Sequence, residues 1–96
     1  MSMLERACVR QLQAAGADLA VTARVTASRD WASALFIGMR LTLELAVDDD
    51  CDLFEQWLAD LPDRELALPG HFVADAEVTG RSAGSATVEI LAIEEA

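Results

Sequence analysis

The sequence predicts an α+β fold of element order α-β-β-α-β-β, with one four-stranded antiparallel sheet carrying two helices on one face. Three observations predict it. First, Ala23-Arg24-Val25-Thr26-Ala27 returns as Ala76-Glu77-Val78-Thr79-Gly80, 53 residues later, and Thr42-Leu43-Glu44-Leu45 returns as Thr87-Val88-Glu89-Ile90, 45 residues later. Second, these segments alternate apolar and polar residues with period two, the signature of half-buried strands. Third, each pair of strand segments follows a stretch whose apolar residues fall at helical spacing. The chain therefore reads as one domain over 1–96, built from pseudo-repeats 2–47 and 48–96. The first copy holds eight more residues between its strands than the second.

Each element has its own local cause. Ser2 and Glu5 have capping-box spacing and Gly16 is a natural stop, so a helix is expected between them with Leu4, Cys8, Leu12 and Ala15 inward. Residues 18–28 alternate, with Leu19, Val21, Ala23, Val25 and Ala27 on one side and Thr22, Arg24 and Thr26 on the other. A loop is expected around Ser28 to Ser33, holding Trp31. Residues 34–47 give the longest alternating run, with Phe36, Gly38, Arg40, Thr42 and Glu44 outward. Asp48, Asp49, Asp50 and Asp52 then suit the positive end of a helix dipole, and Leu53, Phe54, Trp57, Leu58 and Leu61 follow at helical spacing up to Pro62. Pro69-Gly70 marks a turn. Phe72, Ala74, Ala76 and Val78 alternate against His71, Asp75, Glu77 and Thr79, and a turn from Gly80 to Gly84 leads into a last strand over 85–94. The element order is a circular permutation of the ferredoxin-like β-α-β-β-α-β; by that analogy the strands run 3-4-2-1 across the sheet. Such an analogy carries no function with it.

Composition narrows the function classes. The apolar fraction of 53% excludes a disordered chain. The first residues lack the basic start and apolar stretch of a signal peptide, and the most apolar segment is interrupted by Arg40 and Glu44, so a soluble cytoplasmic protein is expected. Net charge is −10 and unevenly spread: residues 1–47 carry five Arg and four acids, whereas 48–96 carry two Arg and thirteen acids. Nucleic acid and anionic membranes would both be repelled by the second half. An acidic half beside a mildly basic one fits self-association or a basic protein surface as partner.

The candidates for chemistry are few. Asp48-x-Asp50-x-Asp52 shares its opening spacing with a calcium loop, but Leu53 replaces the required Gly and Ala59 the required Glu. Helix capping explains the run more simply, and neither metal nor cofactor is expected. Cys8 and Cys51 read as free thiols. His71 is the only histidine. Asp75 falls on the same side of an unbroken strand, but too far along it to share a hydrogen bond with His71. An enzyme built on His71 is accordingly the least supported reading.

The outward face of the sheet is the most site-like feature. It is expected to show Phe36, Leu91 and Ile93 as an apolar group, Arg24 and Arg40 on the first hairpin, and Asp75, Glu77 and Glu89 on the second. Trp31 is placed as a core cover or an aromatic anchor. A two-fold axis through this face would lay the first hairpin of one chain on the second hairpin of another. The expected function is a non-catalytic interaction or assembly module acting as a homodimer. The alternative is a small-ligand-binding or regulatory domain with Arg24 or Arg40 as the anion contact.

Overall fold

In the computed structural model, which describes residues 1–95, the order is α1 (Met3–Ala15), β1 (Thr22–Ala32), β2 (Ile37–Ala46), α2 (Asp52–Asp60), β3 (His71–Ser82) and β4 (Ser85–Glu94). All neighbouring strands are antiparallel, in the order β1-β2-β4-β3. The fold is α+β, with a single open four-stranded sheet; its likeness to a permuted ferredoxin-like fold is one of topology. Among the described residues no helix is long and apolar enough to cross a membrane.

The first helix starts and stops where its end residues dictate. The Ser2 hydroxyl accepts from the Glu5 amide at 3.1 Å, and the Glu5 carboxylate accepts from the Ser2 amide at 3.0 Å. These two bonds satisfy amides that the helix itself leaves unpaired, and they hold the Glu5 carboxyl below its ordinary range. At the other end the Trp57 indole donates to the Ala15 carbonyl at 3.1 Å, so a side chain of α2 closes α1. A Cβ at Gly16 would stand 2.6 Å from Val21 Cγ2, which is why the chain turns there on a glycine.

Both helices cover the same face of the sheet. Ala7, Cys8 and Leu12 from α1, and Phe54, Trp57 and Leu58 from α2, join Leu41, Leu43, Leu45, Val88, Ile90 and Ala92 in one buried cluster. Each fully buried Leu or Ile there contributes about 1.5–3 kcal/mol of transfer free energy.

Three bulges decide what the far face presents. Register slips by one residue between Val25 and Ala27, and again between Val78 and Gly80. The inserted residues are Thr26 and Thr79. Each spends its hydroxyl on a carbonyl of the neighbouring strand, Thr26 to Thr42 at 3.3 Å and Thr79 to Thr87 at 3.4 Å. These positions are related by the same offsets, 53 and 45, as the sequence matches. A third slip, between Val73 and Asp75, inserts Ala74.

Several expectations are corrected by these slips. The segment expected as a loop from Ser28 is strand through Ala32, because the added residues of the first copy lengthen the hairpin. Only residues 33–36 turn between β1 and β2, and Phe36 lies in that turn instead of on the face of β2. The hairpin outruns the helices, so Ser28, Asp30 and Ile37, on their side of the sheet, remain exposed, and the molecule is 41 Å long by 24 and 21 Å across. His71 pairs with Glu94, and Asp75 with Leu91. With Ala74 inserted between them, His71 and Asp75 fall on opposite faces.

The acidic run before α2 also acts differently from expectation. The N-cap is Cys51, and among the described residues no side chain caps the helix. Asp50 instead accepts from Arg81 Nη2 at 2.7 Å and from the Gly84 amide at 2.8 Å. Arg81 also reaches Glu55 at 2.7 Å and lies 4.8 Å from the centre of the Phe54 ring. One arginine thus ties the β3–β4 turn to the start of α2.

Candidate interaction face

The face of the sheet turned away from the helices can be read row by row from the register, since directly paired residues share a face. At one end Trp31, Gly38, Ile93 and Phe72 lie side by side across β1, β2, β4 and β3. The next row is Arg29, Arg40, Leu91 and Asp75. Then come Ala27, Thr42, Glu89 and Glu77, followed by Arg24, Glu44, Thr87 and Gly80. Thr22, Ala46, Ser85 and Ser82 close the far end.

Two like-charge pairs stand directly opposite each other in this grid. Arg29 faces Arg40 across β1 and β2; Glu77 faces Glu89 across β3 and β4. Like charges so placed destabilise a sheet by a few tenths of a kcal/mol or more, to about 1 kcal/mol. None of the four makes an ion pair among the described residues. Arg24, by contrast, is spoken for: its Nη2 lies 2.8 Å from Glu44 Oε2 on the neighbouring strand. The cations of this face that lack an acid are therefore Arg29 and Arg40, not Arg24 and Arg40.

The apolar group is also rearranged. Leu91 and Ile93 are on this face as expected, yet they are only 8% and 6% exposed. Their register neighbours Arg40, Asp75 and Phe72 crowd them, and they need no outside cover. The apolar surface left open lies further out: Leu35 is 86% exposed, Ile37 58%, Phe36 48% and Phe72 42%. All four sit at the end of the molecule where Trp31, itself half-buried, closes the first row. Gly38 is required there, because a Cβ at that position would stand 2.2 Å from the Ala92 carbonyl oxygen.

Arg29 and Phe72 are the large side chains of this face that strict alternation misses. A bulge moves each one: Thr26 turns Arg29 onto the face, and Ala74 does the same for Phe72. In β1 alternation is lost only beyond the bulge, at Ser28, Arg29 and Asp30, where polar residues occupy both sides.

Elsewhere the chemistry is quiet. Cys8 is fully buried and its thiol is pushed up to about 12 by burial, so it is inert as a nucleophile. Cys51 is half-buried and free. His71 Nδ1 lies 2.8 Å from the Pro69 carbonyl. An open cleft of about 800 Å³ runs beside the start of β3, with Arg64, Leu66, Leu68, His71 and Val73 among its walls. Arg64 also lies 5.6 Å from the Trp57 ring centre, and its buried Nε has no hydrogen-bond partner among the described residues. Among the described residues no three His, Cys, Asp or Glu side chains are grouped to hold a metal ion.

Comparison with family models, with curated proteins and with solved structures returns no match.

Proposed function

We propose that this chain is a non-catalytic assembly module that pairs with a second copy of itself through the open face of its sheet. The observation that carries this reading is the pair of unneutralised like-charge contacts on one face, Arg29 with Arg40 and Glu77 with Glu89. Each is unfavourable within one chain, and each is relieved by a surface of opposite sign. A second copy supplies both signs at once, which is what an isologous interface requires. Size is compatible as well. Four strands about 4.8 Å apart and about ten residues long at 3.3 Å per residue offer roughly 600 Å², near the roughly 800 Å² per partner of a standard interface.

Light scattering after size exclusion tests the reading. A dimer is expected at micromolar concentration, and Arg40→Glu should raise its dissociation constant at least about tenfold, as loss of an opposite-charge contact does. An unchanged constant, or a monomer throughout, would sink the proposal.

A second reading has one observation in its favour. The cleft beside β3 joins apolar walls to an arginine whose Nε lacks a partner, a combination suited to a small apolar carboxylate. A thermal-shift screen of short aliphatic and aromatic acids would support it by a rise in melting temperature that Arg64→Met abolishes.

A further inference from the structure

Resting on self-association through the open face, we infer that the two copies stack with their two-fold axis parallel to the strands and midway between β2 and β4. Aligned packing of two sheets leaves two choices for an in-plane axis, along the strands or across them. They place different residues in contact, and the grid of side chains distinguishes them.

With the axis along the strands, each row meets the same row of the second copy with its columns reversed. Arg29 then lies over Asp75 of the second copy. Arg40 lies over Leu91, between Asp75 and Glu89. Trp31 meets Phe72, and the notch at Gly38 receives Ile93. Arg29 is thus met directly by an acid, and the Glu77–Glu89 pair, lying over Ala27 and Thr42 of the second copy, has that copy's Arg29 and Arg40 in the adjacent row; each relation occurs twice by symmetry.

The same axis accounts for the exposed apolar end. The turn that carries Leu35 and Phe36 extends beyond the first row of β1 and β2. Column reversal brings it to the start of β3 in the second copy, beside Phe72. One contact thus covers three of the exposed apolar side chains at this end of the molecule, Leu35, Phe36 and Phe72.

With the axis across the strands, rows are inverted and columns kept. Placed at the middle row, it sets Glu77 over Glu77 and Glu89 over Glu89. Arg29 falls on Arg24, and Trp31 on Thr22. The apolar turn then projects past Thr22 and Ala46, away from Phe72 and the other exposed apolar side chains of its own end. Like charges would be stacked in a water-poor interface, where such contacts cost several kcal/mol.

Thiol crosslinking reads the axis directly. Sheets packed face to face stand about 10 Å apart, beyond the reach of a disulfide, so a short bismaleimide is the probe. In a Cys51→Ser background, Ala27→Cys combined with Glu77→Cys is expected to give a covalent dimer. Thr22→Cys combined with Ser82→Cys, which removes no charge, should do the same. Ala27→Cys alone should remain uncrosslinked, because the two Ala27 positions lie at opposite edges of the stack. Capture of Ala27→Cys alone, with Thr22→Cys combined with Ser82→Cys left uncaptured, overturns the axis in favour of the crosswise one. Failure of both double variants in samples that light scattering shows to be dimeric also overturns it, while leaving self-association standing. A monomer by light scattering overturns self-association and the axis together.

Discussion

Single residues in this chain are constrained mostly by what backbone they approach. Gly38 is the clearest case, since a methyl group there would run into the Ala92 carbonyl, which belongs to a strand and cannot move aside alone. Gly38→Ala should therefore destabilise the fold by about 2 kcal/mol or more, as overpacking at a rigid contact does. A urea titration with unchanged slope and a lowered midpoint would show it; an unchanged midpoint would mean that β2 and β4 separate there at little cost. Asp50 is constrained by charge. The Arg81 guanidinium, and after it the Gly84 amide, hold its carboxyl below the ordinary carboxylate range. The unfolded chain then binds the proton more readily, so this pair stabilises the fold above the unfolded value near about 3.9 and stops doing so as pH falls through the lower folded value. Asp50→Asn should thus cost stability at pH 7 and less at pH 3. An equal cost at both would show that the carboxylate charge is not what holds the β3–β4 turn.

At the scale of elements, what was legible in the sequence and what was hidden have separate physical causes. Both helices and the four strands follow from periodicity, caps and turn residues, because burial on one side imposes those patterns, whereas the order of the strands across the sheet rests on topological analogy. Ser2, Glu5 and Gly16 bound α1 where their chemistry predicts. The bulges were hidden. Val25-Thr26-Ala27 alternates smoothly as text, yet the chain inserts Thr26 and turns Ala27 to the other face. Alternation registers burial, and edge strands are buried too little at these points to mark a one-residue slip. The same loss hid the far half of the first hairpin, where Ser28 and Asp30 face no helix and polarity no longer tells the sides apart. The candidate face was accordingly located, with Arg40, Glu77 and Glu89 correctly on it, but its free cation Arg29 was missed and Arg24 was credited with a charge that Glu44 already meets. The uncovered hairpin has a dynamic consequence. Backbone amides from Asp30 to Gly38 should exchange with solvent at least about tenfold faster than those of Leu41, Leu43 and Leu45, which lie at 0% exposure in the core. Hydrogen exchange at concentrations where the protein is monomeric checks this, and uniform protection along β2 would contradict it.

For the whole molecule the decisive quantity is charge at two distances. Each copy carries a net −10, with eleven of the thirteen acids of residues 48–96 placed outside the pair formed by Glu77 and Glu89. Most of these sit on the helix side, on α2 and its flanks, so that in a face-to-face dimer they lie on the outer surfaces. Sheets in contact bring Arg29 and Arg40 within about 10 Å of the opposing acids, whereas the outer charges of the two copies are separated by more than twice that. Salt acts on these two sets in sequence. At 0.01 M the Debye length is about 30 Å, and the long-range repulsion between two acidic bodies is fully felt. At 0.15 M it is about 8 Å, which removes that repulsion and leaves the contacts across the interface largely intact. At 1 M it is about 3 Å, and the arginine–carboxylate attraction is screened in turn. Dimer affinity should therefore pass through a maximum near physiological ionic strength and fall on either side. Sedimentation equilibrium at these three concentrations measures it. A dissociation constant that declines steadily up to 1 M would mean that apolar contact alone joins the copies, and that the like-charge pairs of the face have some other relief.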